Sequence, residues 1–226
     1  LVFIGSDTFD LFTHTADIDA FITSCIKKHN HIDGVINTSA FTHVDNAEMK
    51  APEQAWVLNA LAPELIAKAC KTHGVPFFHI STDCVFDGTK STPYTPQDPT
   101  NPVNFYGATK REGEQLVEAV GGQSYIFRTA WVFSNFGENF VTAMLNLGAK
   151  HDSIKVVNDQ MGIPIYAPAL ADALLQAAKT ICINTDTSYP PIHHIVGGGG
   201  AINRFDFAKL ILKTASLQTL VKPISS

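Results

Sequence analysis

Short apolar runs alternate along the first part of the chain with longer stretches in which apolar residues recur every three or four positions. Runs of four to eight residues predict buried strands, and the longer stretches predict amphipathic helices. Strands separated by helices in this way predict an α/β fold, with a parallel sheet covered by helices on both faces. The predicted strands are residues 1–4, 34–37, 75–81 and 124–129, and the predicted helices are residues 17–28, 52–73 and 108–120.

The pattern changes after Thr129, where the elements become shorter and prolines flank a connection. Four consecutive glycines at 197–200 lack the spacing of a phosphate-binding loop, so they predict a tight turn. The second part of the chain is therefore expected to form a smaller α/β region. Its predicted helices are residues 140–150, 169–180 and 205–215, and its predicted strands are residues 154–157 and 193–196.

Composition limits the classes of partner. The chain has 226 residues with 45% hydrophobic and 16% charged residues, which is enough for a sizeable core. Its formal net charge of −5 predicts neither a nucleic acid nor a membrane as partner. The four cysteines are far apart in sequence and His193-His194 have no completing ligands, so no metal site is expected. Reduced cysteines and the absence of a signal-like start predict a cytoplasmic protein.

A tyrosine and a lysine four residues apart are the main candidates for chemistry. Tyr106 and Lys110 fall at the start of a predicted helix, and residues at this spacing share one helix face. A lysine ammonium beside a tyrosine favours the phenolate, so the pair can exchange a proton with a ketone or alcohol oxygen. Thr82 follows a predicted strand and adds a hydroxyl near the same edge of the sheet. Glu112 and Glu114 are expected on a solvated helix face.

Two longer motifs surround these residues. The first reads Ile-Ser-Thr-Asp-Cys-Val-Phe-Asp-Gly at 80–88, and the second reads Pro-Val-Asn-Phe-Tyr-Gly-Ala-Thr-Lys-Arg-Glu-Gly-Glu at 102–114. Together with the segments at 35–48, 57–60, 128–133, 139–141 and 156–164, they resemble the dTDP-4-dehydrorhamnose reductase family of extended short-chain dehydrogenases. The resemblance covers nearly the whole chain in order. It implies a Rossmann-like coenzyme-binding domain at 1–130 and a mainly substrate-binding lobe at 131–226, with some segments returning to the sheet.

The resemblance also implies site residues. The catalytic set would be Thr82, Tyr106 and Lys110. The coenzyme, NADPH or NADH, would contact Ser39, Ala40, Phe41, Asn59, Tyr106 and Lys110. The nucleotide sugar would contact Val44, Thr82, Cys84, Asn104 and Trp131. Cys84 stands where the family usually has tyrosine, and a thiol lacks the reach and the hydrogen bond of that phenol.

The start of the chain departs from the family pattern, because no glycine-rich loop follows Gly5. Such a loop and the helix after it bind the pyrophosphate of a dinucleotide. Residues 1–4 are either the second strand, with the first βα unit lost before residue 1, or the first strand, with the following segment absent. The first explanation is preferred. A chain truly lacking the loop is expected to bind coenzyme poorly.

The expected reaction is reduction of the C4 ketone of dTDP-4-dehydro-L-rhamnose by hydride from NAD(P)H. Two alternatives remain open at this point: a nucleotide-sugar 4-epimerase or dehydratase of the same superfamily, and a non-catalytic protein similar to the regulatory β subunit of methionine adenosyltransferase. The expected small-molecule partner is a dTDP-sugar. A homodimer is compatible with the resemblance, although the sequence does not determine the oligomeric state.

Overall fold

The computed structural model describes residues 2, 4–29, 31–184 and 189–226. The chain divides into two compact units, Leu1–Arg128 with Ala177–His194, and Thr129–Gln176 with Ile195–Ser226. The helices are α1 (Ile18–His29), α2 (Val44–Met49), α3 (Pro52–Trp56), α4 (Ala62–Thr72), α5 (Phe105–Val120), α6 (Phe140–Gly148), α7 (Ala167–Ile183) and α8 (Arg204–Thr214). The strands are β1 (Val35–Asn37), β2 (Phe77–Thr82), β3 (Ser124–Thr129), β4 (Val132–Phe133), β5 (Ser153–Val157), β6 (Met161–Gly162), β7 (Ile165–Tyr166), β8 (Ile192–His194), β9 (Ile202–Asn203) and β10 (Leu220–Ile224).

The first unit contains a four-stranded sheet in the order β1-β2-β3-β8, in which β1 is parallel to β2 and β3 is parallel to β8. Apolar residues of the strands and helices form one core, which includes Ile18, Ile66, Phe77, Val117 and Ile126. Burial of these side chains is the main force that holds the helices on the sheet. The expected α/β fold with a parallel sheet is confirmed.

The second unit packs α6 and α8 against the parallel pair β5 and β10. Met144, Val156, Phe207 and Leu212 belong to its core. The short pairs β4–β7 and β6–β9 complete this unit. The turn expected at the four glycines is present at residues 198–199.

Several helices and strands begin or end at residues other than those predicted from the sequence. The helix predicted at 52–73 forms as α3 and α4 joined by a π turn at Val57–Leu61, and the helix predicted at 108–120 begins earlier, at Phe105. Of the strand predicted at 1–4, Leu1 and Phe3 lie outside the described residues, whereas Val2 and Ile4 are described and belong to no strand. None of the helices in the described residues is both long enough and apolar enough to span a membrane.

Candidate active site

The carboxyl end of β2 leads into a 3₁₀ turn at Asp83–Val85, and Thr82 caps that turn. Thr82 Oγ1 accepts a hydrogen bond from the Cys84 amide at 3.1 Å and donates one to Asp83 Oδ1 at 3.1 Å. Thr82 itself is buried. Its hydroxyl is therefore held in one place by its own local turn, which is the requirement for a group that orients a reacting atom.

Tyr106 lies in the first turn of α5, and the start of this helix is fixed from both sides. Asn104 Oδ1 accepts a hydrogen bond from the Gly107 amide at 2.7 Å, so the side chain of Asn104 caps the helix. A Cβ atom at Gly107 would lie 2.2 Å from the Cys84 carbonyl oxygen, so only glycine allows this approach. The close packing places the Tyr106 phenol beside Thr82.

The Tyr106 phenol is held in its protonated form. Burial raises its pKa well above the ordinary value, and the neighbouring Cys84 and Asp83 act in the same direction, whereas the hydrogen bond with Thr82 lowers it. A phenol in this environment carries its proton throughout the neutral range. It is suited to donating a proton to an oxygen that gains negative charge.

Lys110 is buried one helical turn after Tyr106. Its Nζ donates a hydrogen bond to the carbonyl oxygen of Ile80 at 2.7 Å and lies 3.2 Å from Nε2 of His79. Burial lowers the pKa of Lys110 to about 8, and the carboxylate of Glu114 acts against this shift. The described contacts of Lys110 are thus with β2, and its expected effect on the pKa of Tyr106 stays a prediction.

The π turn presents Asn59, which is fully buried, to two neighbouring segments. Its Oδ1 accepts from the Phe41 amide at 2.9 Å, and its Nδ2 donates to the Phe41 carbonyl at 3.1 Å and to Thr109 Oγ1 at 3.0 Å. A Cβ atom at Gly113 would lie 2.0 Å from the Asn59 carbonyl oxygen. The π turn, the Phe41 segment and α5 are therefore fastened together, and π turns are frequent at functional sites.

The segment after β1 carries three further residues expected to contact the coenzyme or the sugar, Ser39, Ala40 and Val44. Ser39 and Ala40 follow the carboxyl end of β1 and precede Phe41, and Val44 begins α2 with 37% of its surface exposed. The Ser39 amide donates to Asn37 Oδ1 at 3.0 Å. The backbone on both sides of Ala40 is thus fixed by buried asparagines, while Ser39 remains exposed to solvent.

The prediction that Glu114 lies on a solvated face is wrong. Glu114 is fully buried, and its two carboxylate oxygens accept hydrogen bonds from Nε and Nη2 of Arg128 at 2.8 and 2.7 Å. Arg111 Nη1 adds a contact at 3.1 Å. The sequence pattern around α5 gave Glu114 a polar face, but the guanidinium of β3 occupies that face. This bidentate pair ties the helix of Tyr106 and Lys110 to the sheet.

Trp131 belongs to the second unit and adopts a left-handed backbone conformation, with φ of 46°. The guanidinium of Arg204 lies over its ring at 3.6 Å from the centroid, a cation–π contact. A Cβ atom at Gly162 would lie 2.3 Å from the indole, so the β6 backbone packs directly against the ring. The ring orientation is therefore determined by neighbours from the same unit.

Sequence reasoning did not select Asn37 and His79, although both are buried, His79 contacts Lys110 and Asn37 contacts His79. A signal was present, because a polar residue inside a short apolar strand is uncommon unless it has a buried partner. In the described residues, no group of three or more histidine, cysteine, aspartate or glutamate side chains is arranged to hold a metal ion.

The parallel sheet and the Thr82–Tyr106 contact, with Lys110 on the same helix, are the features of a short-chain dehydrogenase fold. The family model described as RmlD substrate binding domain matches residues 8–226. The chain belongs to this family, and the resemblance to dTDP-4-dehydrorhamnose reductases drawn from the motifs is confirmed.

Curated relatives of the chain include a reductase of this family and a polysaccharide biosynthesis protein. The chain is 47% identical to dTDP-4-dehydrorhamnose reductase of Burkholderia thailandensis over 66% of this chain and 49% of that protein. It is 34% identical to spore coat polysaccharide biosynthesis protein SpsK of Bacillus subtilis over 88% of this chain and 66% of that protein. The chain therefore spans between about half and two thirds of the length of such curated relatives.

Solved structures agree with the fold. The structure of the dTDP-4-dehydrorhamnose reductase of Clostridium acetobutylicum has a TM-score of 0.82 and 35% identity, covering 93% of this chain and 72% of that one. The Bacillus anthracis enzyme, solved in complex with NADP, has a TM-score of 0.80 and 33% identity, covering 93% of this chain and 73% of that one.

Proposed function

We propose that the chain carries the proton-donating site of an NADPH-dependent reductase that converts dTDP-4-dehydro-L-rhamnose to dTDP-L-rhamnose. The observation that supports this most directly is the placement of the buried, protonated phenol of Tyr106 beside the hydroxyl of Thr82. The names of the relatives and the NADP complex of the Bacillus anthracis enzyme support the substrate and the coenzyme.

The residues present fit a nicotinamide coenzyme. In the part of the chain that the structure describes, Ser81 Oγ is buried at the carboxyl end of β2 without a hydrogen-bond partner. Ser39, Ala40 and Phe41 follow the neighbouring strand, and ligands of open α/β sheets bind at this edge. We propose that Ser39, Ala40, Phe41, Asn59, Tyr106 and Lys110 hold the coenzyme. Asn59 acts through the Phe41 backbone, because its amide is already bonded there.

When bound, NADPH supplies the hydride that reduces the C4 carbon. In our proposal, the Tyr106 phenol donates its proton to the C4 oxygen as this oxygen becomes an alkoxide, and Thr82 Oγ1 orients the same oxygen. Lys110 then compensates the charge of the phenolate. Because burial disfavours that phenolate, the charge of Lys110 is needed most after the proton has left. Proton donor and orienting hydroxyl are already in contact before substrate binds.

We propose that the sugar nucleotide contacts Val44, Thr82, Cys84, Asn104 and Trp131. The side-chain oxygen Oδ1 of Asn104 caps α5 by accepting from the Gly107 amide, which leaves the side-chain Nδ2 of Asn104 to donate to a ligand. On the basis of the family resemblance, we further propose that residues 1–130 form mainly the coenzyme-binding domain and residues 131–226 mainly the substrate-binding lobe. We also propose a homodimer in the cytoplasm. The four free cysteines suit a reducing compartment, and association would cover the exposed apolar side chains of Met49 and Val103.

The test follows NADPH oxidation in the presence of dTDP-4-dehydro-L-rhamnose for the natural protein and for Tyr106→Phe. Loss of a general acid is expected to reduce kcat roughly 10²–10⁴-fold. Tyr125→Phe is the control, because Tyr125 lies in β3 and stacks on Phe78 at 5.6 Å. The control is expected to retain activity. A folded natural protein that does not oxidise NADPH with this substrate would contradict the proposal.

A further inference from the structure

A chain of polar groups leads to Lys110 from the backbone of residues 39–41, the segment after β1 that is proposed to contact the coenzyme, hereafter the coenzyme segment. The Ser39 amide donates to Asn37 Oδ1 at 3.0 Å, and Asn37 Nδ2 lies 3.2 Å from Nδ1 of His79. On the other side of the ring, His79 Nε2 lies 3.2 Å from Nζ of Lys110, which donates to the Ile80 carbonyl at 2.7 Å. Asn37, His79 and Lys110 are all buried, so water does not compete for these groups.

The donor and acceptor of each hydrogen bond in this chain are fixed by the Ser39 amide, with which the chain begins. A backbone amide can only donate, so the atom of Asn37 that faces Ser39 is the carbonyl oxygen, and its amide nitrogen faces His79. An amide NH₂ also only donates, so His79 Nδ1 must accept. In a neutral imidazole the proton then resides on Nε2, which points at Lys110. An ammonium has no lone pair to accept this bond, whereas a neutral amine has one.

The charge balance around the two side chains agrees with this direction. Burial lowers the pKa of His79 well below its ordinary value, and Lys110 adds to that shift, so the ring is neutral. Burial likewise lowers the pKa of Lys110 to about 8. Glu114, on the same helix, is the group that raises the pKa of Lys110, but its carboxylate oxygens are bonded to Arg128 on β3 and to Arg111.

We infer that His79 is a positioning residue that carries its proton on Nε2, directs it at the Lys110 nitrogen docked on the Ile80 carbonyl, and thereby opposes the ammonium form of Lys110 that the proposed mechanism uses to compensate the phenolate. Asn37 sets this tautomer through the Ser39 amide. The coenzyme segment and the charge of Lys110 are linked by this chain of hydrogen bonds. The inference rests on the proposed reductase for its effect on catalysis, but the tautomer itself does not depend on turnover.

The tautomer can be read by ¹⁵N NMR of the imidazole rings, because protonated and unprotonated ring nitrogens have distinct chemical shifts. The chain has 9 histidines, and the spectrum of His79→Gln identifies the signals of His79 by their loss. The expected result for the intact natural protein is a neutral ring with its proton on Nε2. A proton on Nδ1, or a charged ring, at neutral pH would overturn the inference whether or not the protein is a reductase.

The substitution Asn37→Asp reverses the chain of hydrogen bonds. Its carboxylate still accepts from Ser39 but now also accepts from His79 Nδ1, which moves the ring proton from Nε2 to Nδ1. The unprotonated Nε2 then accepts from a Lys110 ammonium and stabilises it. In the proposed mechanism, kcat/KM falls at high pH as Lys110 loses its proton, so this basic limb of the pH profile is expected to move to higher pH in Asn37→Asp. Asn146→Asp, on the exposed surface of α6, adds the same charge and is expected to leave tautomer and profile unchanged.

The outcomes separate the two proposals. A tautomer change in Asn37→Asp without a shift of the basic limb would overturn the link between His79 and Lys110 while leaving the reductase intact. An equal shift in Asn146→Asp would assign the effect to net charge and would also overturn the link. A natural protein with the Nε2 tautomer but no NADPH oxidation would contradict the proposed function and not the tautomer.

Discussion

Replacing Glu114 by glutamine tests how α5 is held on the sheet. Glu114 is fully buried and Arg128 is 3% exposed, and two hydrogen bonds of 2.8 and 2.7 Å join them. The substitution keeps the shape of the side chain but leaves the guanidinium buried without a counter-charge. Breaking one partner of such a pair costs roughly 3–5 kcal/mol, a large fraction of the 5–15 kcal/mol typical of a domain. Urea unfolding followed by circular dichroism measures this loss.

Glu118 on the same helix supplies the matched control. It contacts Arg111 at 3.4 Å, and its side chain is 36% exposed. Exposed pairs contribute about 0–1 kcal/mol, so Glu118→Gln is expected to change the free energy of unfolding by no more than that. The double variant Glu114→Leu with Arg128→Met removes both charges and is expected to recover much of the loss. Equal effects of Glu114→Gln and Glu118→Gln would refute the reasoning.

Two further predictions concern buried groups of α5. Because the pKa of Lys110 falls from 10.5 to about 8 on folding, the unfolded chain binds more protons between these values, and stability rises with pH there. Relative to Lys110→Met, the free energy of unfolding of the natural chain is expected to rise by about 3 kcal/mol between the folded-state pKa of about 8 and the unfolded value of 10.5, measured by urea unfolding. Parallel plots of unfolding free energy against pH for the two proteins would contradict the prediction. Gly113→Ala places a Cβ atom 2.0 Å from the Asn59 carbonyl oxygen and is expected to cost about 1–3 kcal/mol. Gly199→Ala meets open space, and its unfolding midpoint should match that of the natural chain.

The alternation of apolar runs and amphipathic stretches was sufficient to predict most of the sheet and its covering helices. It missed β10, in which Leu220, Lys222 and Pro223 are exposed and only Val221 is buried. That strand forms because it pairs along its whole length with β5, which lies far away in sequence. A local pattern carries no information about such a partner, and Pro223 argues against a central strand, although an edge strand such as β10 tolerates it.

For the candidate site, sequence motifs selected Thr82, Tyr106 and Lys110, and their functional roles stay predictions. The motifs did not indicate the buried groups that surround them. Glu114 looked like a surface residue because the helix pattern cannot show that Arg128 lies opposite. His79 looked like a filler of an apolar strand, although its ring bridges two polar side chains. Such pairs arise from tertiary packing, which periodicity within a single element does not encode.

The π turn at Val57–Leu61 has a consequence for the length of its helix. A π turn accommodates one residue more than an α turn, so the flanking helices α3 and α4 keep their rotational phase despite the extra residue. Deleting one residue here would restore regular winding and leave the core face of α4 in place. The same deletion would withdraw Asn59 from Phe41 and Thr109. The extra residue of this helix therefore places the Asn59 amide within reach of Phe41 and Thr109 while the core face of α4 stays in phase.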